Sequence, residues 1–170
     1  MSRSSLLVLG GARSGKSRLA QERAEALPGA PVYIATAEAW DDEMRDRIAQ
    51  HRADRGGQWA TVDAPLDLPA AIATRSGTGH VLLVDCLTLW ATNLLLAERD
   101  AEAATEELCA AVVGFDGHVI LVANEVGLGI VPDNALARRF RDVAGRMNQR
   151  VAAVAEEVLF VAAGLPLRLK

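Results

Sequence analysis

Lysine is nearly absent from this 170-residue chain: two lysines, Lys16 and the terminal Lys170, stand against 16 arginines. A genome rich in G and C would explain the arginines, but not the one lysine kept inside the chain. Cysteine is equally scarce. Cys86 and Cys109 have no metal-ligand spacing and form no disulfide framework, so both are expected as small buried side chains in a reducing cytoplasm. No apolar run approaches the ~20 residues of a membrane helix. Met1 to Ser5 lack the apolar core and cleavage site of a signal peptide. Positive charge is not in excess: the net charge of −4 excludes a broad electrostatic footprint for nucleic acid, and an anionic ligand needs a local site. What remains is 51% hydrophobic and 24% charged, the profile of one soluble domain spanning residues 1–170.

Strand and helix signals alternate along the chain. Leu6-Leu7-Val8-Leu9 is an apolar run ending in glycine, the pattern of a buried parallel strand. A helix is expected from Lys16 to about Leu27, stopped by Pro28-Gly29. Strands follow at residues 32–35, 81–85 and 119–122, with helical segments between about Thr88 and Val113. Met44, Ile48 and His51 share one helical face, and a short helix is expected from Asp67 to about Arg75. The stretch from Trp59 to Pro69 is poorly patterned. Leu136, Phe140, Val143, Met147, Val151 and Val154 mark one stripe of a long helix. Residues 158–161 and 165–169 read as a final hairpin about Gly164. The expectation is an α/β fold with a mainly parallel sheet and one antiparallel C-terminal strand.

The chemistry is concentrated in Gly10-Gly11-Ala12-Arg13-Ser14-Gly15-Lys16-Ser17, a full match to G-x-x-x-x-G-K-[ST]. It follows a strand and opens a helix, the context that the motif requires. Glycines let the main chain curl so that its N–H groups form a nest for phosphate oxygens, and the helix N-terminus adds positive potential. Lys16 is expected on the β- and γ-phosphates of a nucleoside triphosphate and Ser17 on Mg²⁺. Asp85 ends an apolar strand, where a carboxylate can hold the same metal; its alternative is to cap the helix that begins near Leu87. The base-reading N-K-x-D of switch GTPases is missing, and Asn124-Glu125-Val126-Gly127 follows the fourth strand instead.

Several segments together resemble one family. They are the loop at residues 10–17, Tyr33-Ile34-Ala35-Thr36-Ala37, Asp41-Asp42-Glu43-Met44, and Arg47-Ile48 through His51-Arg52. Leu87-Thr88-Leu89-Trp90, Thr92-Asn93-Leu94-Leu95, the run from Asn124 to Pro132, Phe140-Arg141-Asp142, Gly145-Arg146 and Asn148-Gln149 complete the set. The chain is similar, from about Leu6 to Lys170, to the bifunctional adenosylcobinamide kinase / adenosylcobinamide-phosphate guanylyltransferases of cobalamin biosynthesis. The resemblance implies a RecA-like P-loop NTPase fold with helices on both faces of the sheet, and a homotrimer. It implies two reactions: ATP or GTP phosphorylates adenosylcobinamide, and GTP then delivers GMP through a histidine to the phosphorylated product, releasing pyrophosphate. By position the histidine is His51. Ala35, Thr36, Ala37, Ala53, Asp54, Arg55, Gly56, Asp63 and Asp85 are implied as nucleotide contacts. Asp63 and Asp85 stand where some relatives carry Glu, and Gln50 where a relative carries a second histidine.

Read without the resemblance, His51 is a helix-edge packing residue, since it shares the face of Met44 and Ile48. A neutral imidazole is nonetheless a competent nucleophile near neutral pH. His80 and His118 each precede a strand and read as turn or strand-end residues. Arg52 and Arg55 either balance phosphate charge or lie on a solvated face. Glu125 either acts as a base or braces the Gly127-Leu128-Gly129 turn. Trp40, Trp59 and Trp90 offer flat faces to a base or corrin ring, or else pack the core.

Overall fold

The computed structural model describes residues 3–38, 42, 45, 46, 48, 49, 53 and 57–170. Among these residues seven strands form one sheet: β1 (Ser4–Gly10), β2 (Ala30–Ala35), β3 (Ala60–Asp63), β4 (His80–Asp85), β5 (His118–Asn124), β6 (Glu157–Ala162) and β7 (Leu165–Arg168). Their order is β3-β2-β4-β5-β1-β6-β7. Every neighbouring pair is parallel except the antiparallel hairpin β6–β7. The regular helices among the described residues are α1 (Lys16–Glu25), α2 (Leu68–Ala73), α3 (Leu87–Leu96), α4 (Ala101–Gly114) and α5 (Ala135–Val154).

The central strands are apolar throughout because both faces of the sheet are covered. Alternate residues divide between two cores. Leu7, Leu9, Leu82, Val84, Val119 and Leu121 pack beneath α2, α3, α4 and α5, while Leu6, Val8, Val81, Leu83, Ile120 and Val122 pack with Ala20 and Ala24 of α1. The mainly parallel α/β architecture with helices on both faces and an antiparallel final strand is thus as expected.

The helical segments expected between Thr88 and Val113 are two helices, α3 and α4. Glu98 has φ 53 at the break, and Asp100 restarts the chain by accepting from the N–H groups of Glu102 and Ala103 at 2.9 and 3.1 Å. β3 carries no readable pattern because it is an edge strand whose residues are exposed or half-buried; its pairing with β2 creates it. The long-helix stripe holds at Val143, Met147 and Val151, which are buried, but Leu136 is exposed. The helix expected around His51 falls largely outside the described residues.

Trp90 is fully buried under the sheet, and its Nε1–H donates to the Leu66 carbonyl at 2.9 Å. Its removal leaves both a cavity and an unpaired carbonyl. Trp90→Ala is expected to lower unfolding stability by about 3–5 kcal/mol. Urea denaturation should register this as a lower midpoint with little change in slope.

Candidate functional site

Parallel register brings the ends of five strands to one edge. Gly10 of β1 is paired with Asn124 of β5, Asp85 of β4 with Val122 of β5, and Ala35 of β2 with both Asp85 and Asp63 of β3. Gly10, Ala35, Asp63 and Asp85, distant in sequence, therefore share the carboxyl edge of the sheet, where open α/β sheets bind ligands.

The loop at residues 10–17 leaves β1 and turns into α1. Gly15 caps α1 in the left-handed region at φ 93, and Arg13 is also left-handed at φ 54 with its side chain exposed. Gly10 has no room for a larger residue: a Cβ there would lie 2.5 Å from Ser14 Oγ and 2.7 Å from the Val161 carbonyl oxygen. A Cβ on Gly15 would lie 3.1 Å from the Cα of Gly164. The turn of the β6–β7 hairpin thus braces the loop from outside, and the Gly164 N–H donates to the Ser14 carbonyl at 2.7 Å. Lys16 Nζ donates to the Gly11 carbonyl at 3.2 Å, folded over its own loop. Ser14 is buried, yet its Oγ has no partner among the described residues. A curled main chain, one ammonium group and an unpaired buried hydroxyl are the donors that a phosphate group takes.

Alternation along the strands places Asp85 on the α1 face, after Val81 and Leu83. Ser17, in the first turn of α1, is half-buried on the same side of the molecule. A hydroxyl and a carboxylate beside a triphosphate suit magnesium, which takes few protein ligands and completes its shell with phosphate and water oxygens.

Thr36 is wholly buried and spends its polar groups within the protein. Its Oγ1 donates to the Cys86 carbonyl at 2.7 Å and accepts from the Cys86 N–H at 2.9 Å. Its carbonyl accepts from Asn93 Nδ2 at 2.7 Å, and the same amide nitrogen donates to the Pro65 carbonyl at 2.9 Å. Asn93, itself buried, bolts the exits of β2 and β3 to α3. The signal for Asn93 in the sequence is faint, one carboxamide on a helix whose other residues are apolar or threonine. Ala35 is buried, Ala37 half-buried, and Ala53 and Asp63 exposed, with Asp63 lining an open groove of about 410 Å³ between β3 and α2. His51, Asp54, Arg55 and Gly56 lie outside the described residues, as do Trp40 and Arg52.

The open alternatives narrow elsewhere. Glu125 Oε1 accepts from the Gly127 N–H at 2.5 Å, so this carboxylate braces its turn. Trp59 is buried edge-on to Tyr33 with ring centroids 6.5 Å apart, and its Nε1–H donates to Glu25 at 3.1 Å. With Trp90 it is a packing residue. His118 is buried and hydrogen-bonded to Ser4 Oγ at 2.7 Å, and His80 to Thr78 Oγ1 at 2.6 Å, both as first residues of strands. Burial, reinforced by the Asp85 charge, pushes the Cys86 thiol up to about 11, which leaves it protonated and inert at neutral pH.

A glycine-rich loop joining a parallel strand to a helix, with an acidic strand end two strands away, makes this a P-loop NTPase fold. The ATPase EscN from the type III secretion system of enteropathogenic E. coli superposes with a TM-score of 0.60 at 10% identity, over 94% of this chain and 43% of that one, a likeness of fold. The chain belongs to the cobinamide kinase / cobinamide phosphate guanyltransferase family, whose model matches residues 6–169. It is 49% identical over 166 residues to the bifunctional adenosylcobalamin biosynthesis protein CobP of Pseudomonas aeruginosa, covering 96% of each chain. It is 45% identical over 183 residues to the bifunctional adenosylcobalamin biosynthesis protein CobU of Salmonella typhimurium, covering 97% of this chain and 99% of that one.

Asn93→Ala leaves the Thr36 and Pro65 carbonyls without their shared donor. It is expected to cost about 1–3 kcal/mol in unfolding free energy. Nucleotide affinity measured by calorimetry is expected to fall as well, because the β2 exit loses its anchor.

Proposed function

We propose that this chain phosphorylates adenosylcobinamide with ATP or GTP, and then transfers GMP from GTP to the phosphorylated product through a guanylylated His51, giving adenosylcobinamide-GDP and pyrophosphate. The observation that carries this reading is a complete phosphate loop registered beside Asp85 in a chain that its family spans from residue 6 to 169.

Residues 10–17 bind the triphosphate. The main-chain nest and the N-terminus of α1 hold phosphate oxygens, and Lys16 swings from the Gly11 carbonyl to the β- and γ-phosphates. Ser17 and Asp85 would hold Mg²⁺, which when bound neutralises charge on the β- and γ-phosphates. Phosphoryl transfer needs positioning and charge neutralisation more than covalent help, which suits a site built from main chain and a few charges. For the second reaction, His51 attacks the α-phosphorus of GTP, and the phosphoramidate then gives GMP to the phosphorylated cobinamide. Ala35, Thr36, Ala37, Ala53, Asp54, Arg55, Gly56 and Asp63 form the nucleotide's wider surroundings. The common edge shared by Ala35, Asp63 and Asp85 supports this, and Thr36 contributes as a fixed support rather than through a free hydroxyl.

A cytoplasmic homotrimer is the expected state. Leu128, Ile130 and Val131 are 82%, 96% and 61% exposed, more apolar surface in one loop than an isolated chain commonly shows. No described helix is long and apolar enough to cross a membrane. Light scattering is expected to give a mass three times the 18.1 kDa of one chain.

Incubation with α-³²P-GTP and Mg²⁺ tests the guanylyl step. Label is expected to stay on denatured wild-type protein and to vanish in His51→Ala; full labelling of that variant removes His51 from the mechanism. With γ-³²P-ATP or γ-³²P-GTP, Lys16→Ala is expected to lose at least about 100-fold in transfer to adenosylcobinamide. Labelling of the protein without any transfer to the corrinoid would exclude the kinase half.

A further inference from the structure

Asn124 ends β5, the strand that lies between β1, from which the phosphate loop rises, and β4, which ends in Asp85. In β5, Ile120 and Val122 face the α1 side of the sheet. Asn124 continues that alternation, as Gly10 does after Leu6 and Val8, and Asp85 after Val81 and Leu83. Gly10 is its register partner. Strands lie about 4.8 Å apart. The Asn124 carboxamide therefore stands on the phosphate-loop face, one strand from Gly10 and one from Asp85.

Its main chain is unusually well held. The Asn124 N–H donates to Thr88 Oγ1 at 2.7 Å, and its carbonyl accepts from Asn148 Nδ2 at 3.3 Å. The next N–H, that of Glu125, donates to the Gly10 carbonyl at 3.0 Å, which ties this strand end to the first residue of the loop. Against this fixed frame, the side-chain Oδ1 is buried and has no hydrogen-bond partner among the described residues. Ser14 Oγ is the other such atom among the described residues, and it lies within the phosphate loop itself. Buried polar atoms without a partner are few in folded proteins, and each calls for a reason. Here both gather at the same sheet edge.

An orphaned carbonyl oxygen requires a donor. Phosphate oxygens of a nucleotide are mostly deprotonated at neutral pH, so the triphosphate offers acceptors rather than a donor. An alcohol can. Resting on the kinase half of the function proposed above, we infer that Asn124 orients the phosphoryl acceptor: its Oδ1 accepts a hydrogen bond from the attacking hydroxyl of an alcohol substrate. The bond turns a lone pair of that hydroxyl oxygen toward the γ-phosphorus. The new bond joins the alcohol oxygen to the γ-phosphorus. The bond from the γ-phosphorus to the β–γ bridging oxygen breaks, and the nucleoside diphosphate leaves with that electron pair. The alcohol proton passes to solvent. A carboxamide takes up no proton, so Asn124 contributes orientation and not basicity, and Glu125, occupied by the Gly127 N–H, is not required as a base.

The test compares wild type, Asn124→Ala and Asn124→Ser in three measurements: γ-³²P transfer to adenosylcobinamide, nucleotide affinity by calorimetry, and the thermal unfolding midpoint. Asn124→Ala is expected to lose about 100-fold in kcat, the scale of a misaligned attack. Its nucleotide affinity and unfolding midpoint are expected to stay at wild-type values. Asn124→Ser, which keeps an acceptor oxygen, is expected to regain part of the rate. Transfer to alcohol is expected to suffer more than γ-phosphate loss to water, since water is not held by the same contact. A kcat within threefold of wild type overturns the inference. So does a rate loss accompanied by an equal fall in nucleotide affinity or by a lower midpoint, the signature of a purely structural residue. If the wild-type chain transfers no phosphate to the corrinoid while binding nucleotide, the kinase reading itself fails and this inference with it.

Discussion

The parallel ladder β4-β5-β1 holds the ends of three strands in register, and the site depends on that alignment. Gly10, Asn124 and Asp85 come from widely separated parts of the chain, and nothing local would bring them together. Ladder hydrogen bonds fix each strand lengthwise. The period-two alternation of the pleat then decides which face each terminal side chain meets. A slip of one residue in β4 would send Asp85 to the core beneath α3 and leave the loop without its acid. The two apolar clusters on either side of the sheet prevent that slip, since it would also turn Leu82 and Val84 to the wrong face.

The phosphate loop is not self-supporting. Its curl is possible because Gly10 and Gly15 have no side chains, but it is held because the β6–β7 turn reaches across and donates to Ser14. The antiparallel hairpin at the end of the chain thus serves the first functional segment at its beginning. On the other side, Thr36, Asn93 and Cys86 knit the exits of β2, β3 and β4 into one unit. The Thr36 and Asn93 side chains touch main chain rather than solvent, and their work is to make the edge rigid. Rigidity is what phosphoryl transfer asks of a protein, because most of the barrier is lowered by alignment and by charge already in place.

Much of this was legible beforehand. The eight-residue loop carries its own signature, because its spacing of glycines, lysine and hydroxyl between a strand and a helix is the pattern of a phosphate-binding loop. The apolar runs at residues 6–9, 81–85 and 119–122 announced buried parallel strands, since polar residues cannot occupy a strand covered on both sides. Other features gave no signal. β3 is an edge strand whose mixed residues fit a loop equally well. Asn93 and Asn124 look like ordinary polar residues in apolar surroundings, and their importance lies in which carbonyls and N–H groups they meet.

Composition, the loop motif and the alternation of strand and helix determined by themselves that the chain is a phosphate-binding α/β protein, because these depend on near neighbours and on periodicity. The long-range resemblance of motifs also named the family. Only the tertiary structure decided that Glu125 braces a turn, that Thr36 is spent inside the protein, that the last hairpin supports the first loop, and that the Asn124 Oδ1 has no partner among the described residues at the edge that Gly10 and Asp85 share. Each of these is a contact between residues far apart along the chain, or depends on which face of a pleated strand a side chain takes once its neighbours have fixed the register.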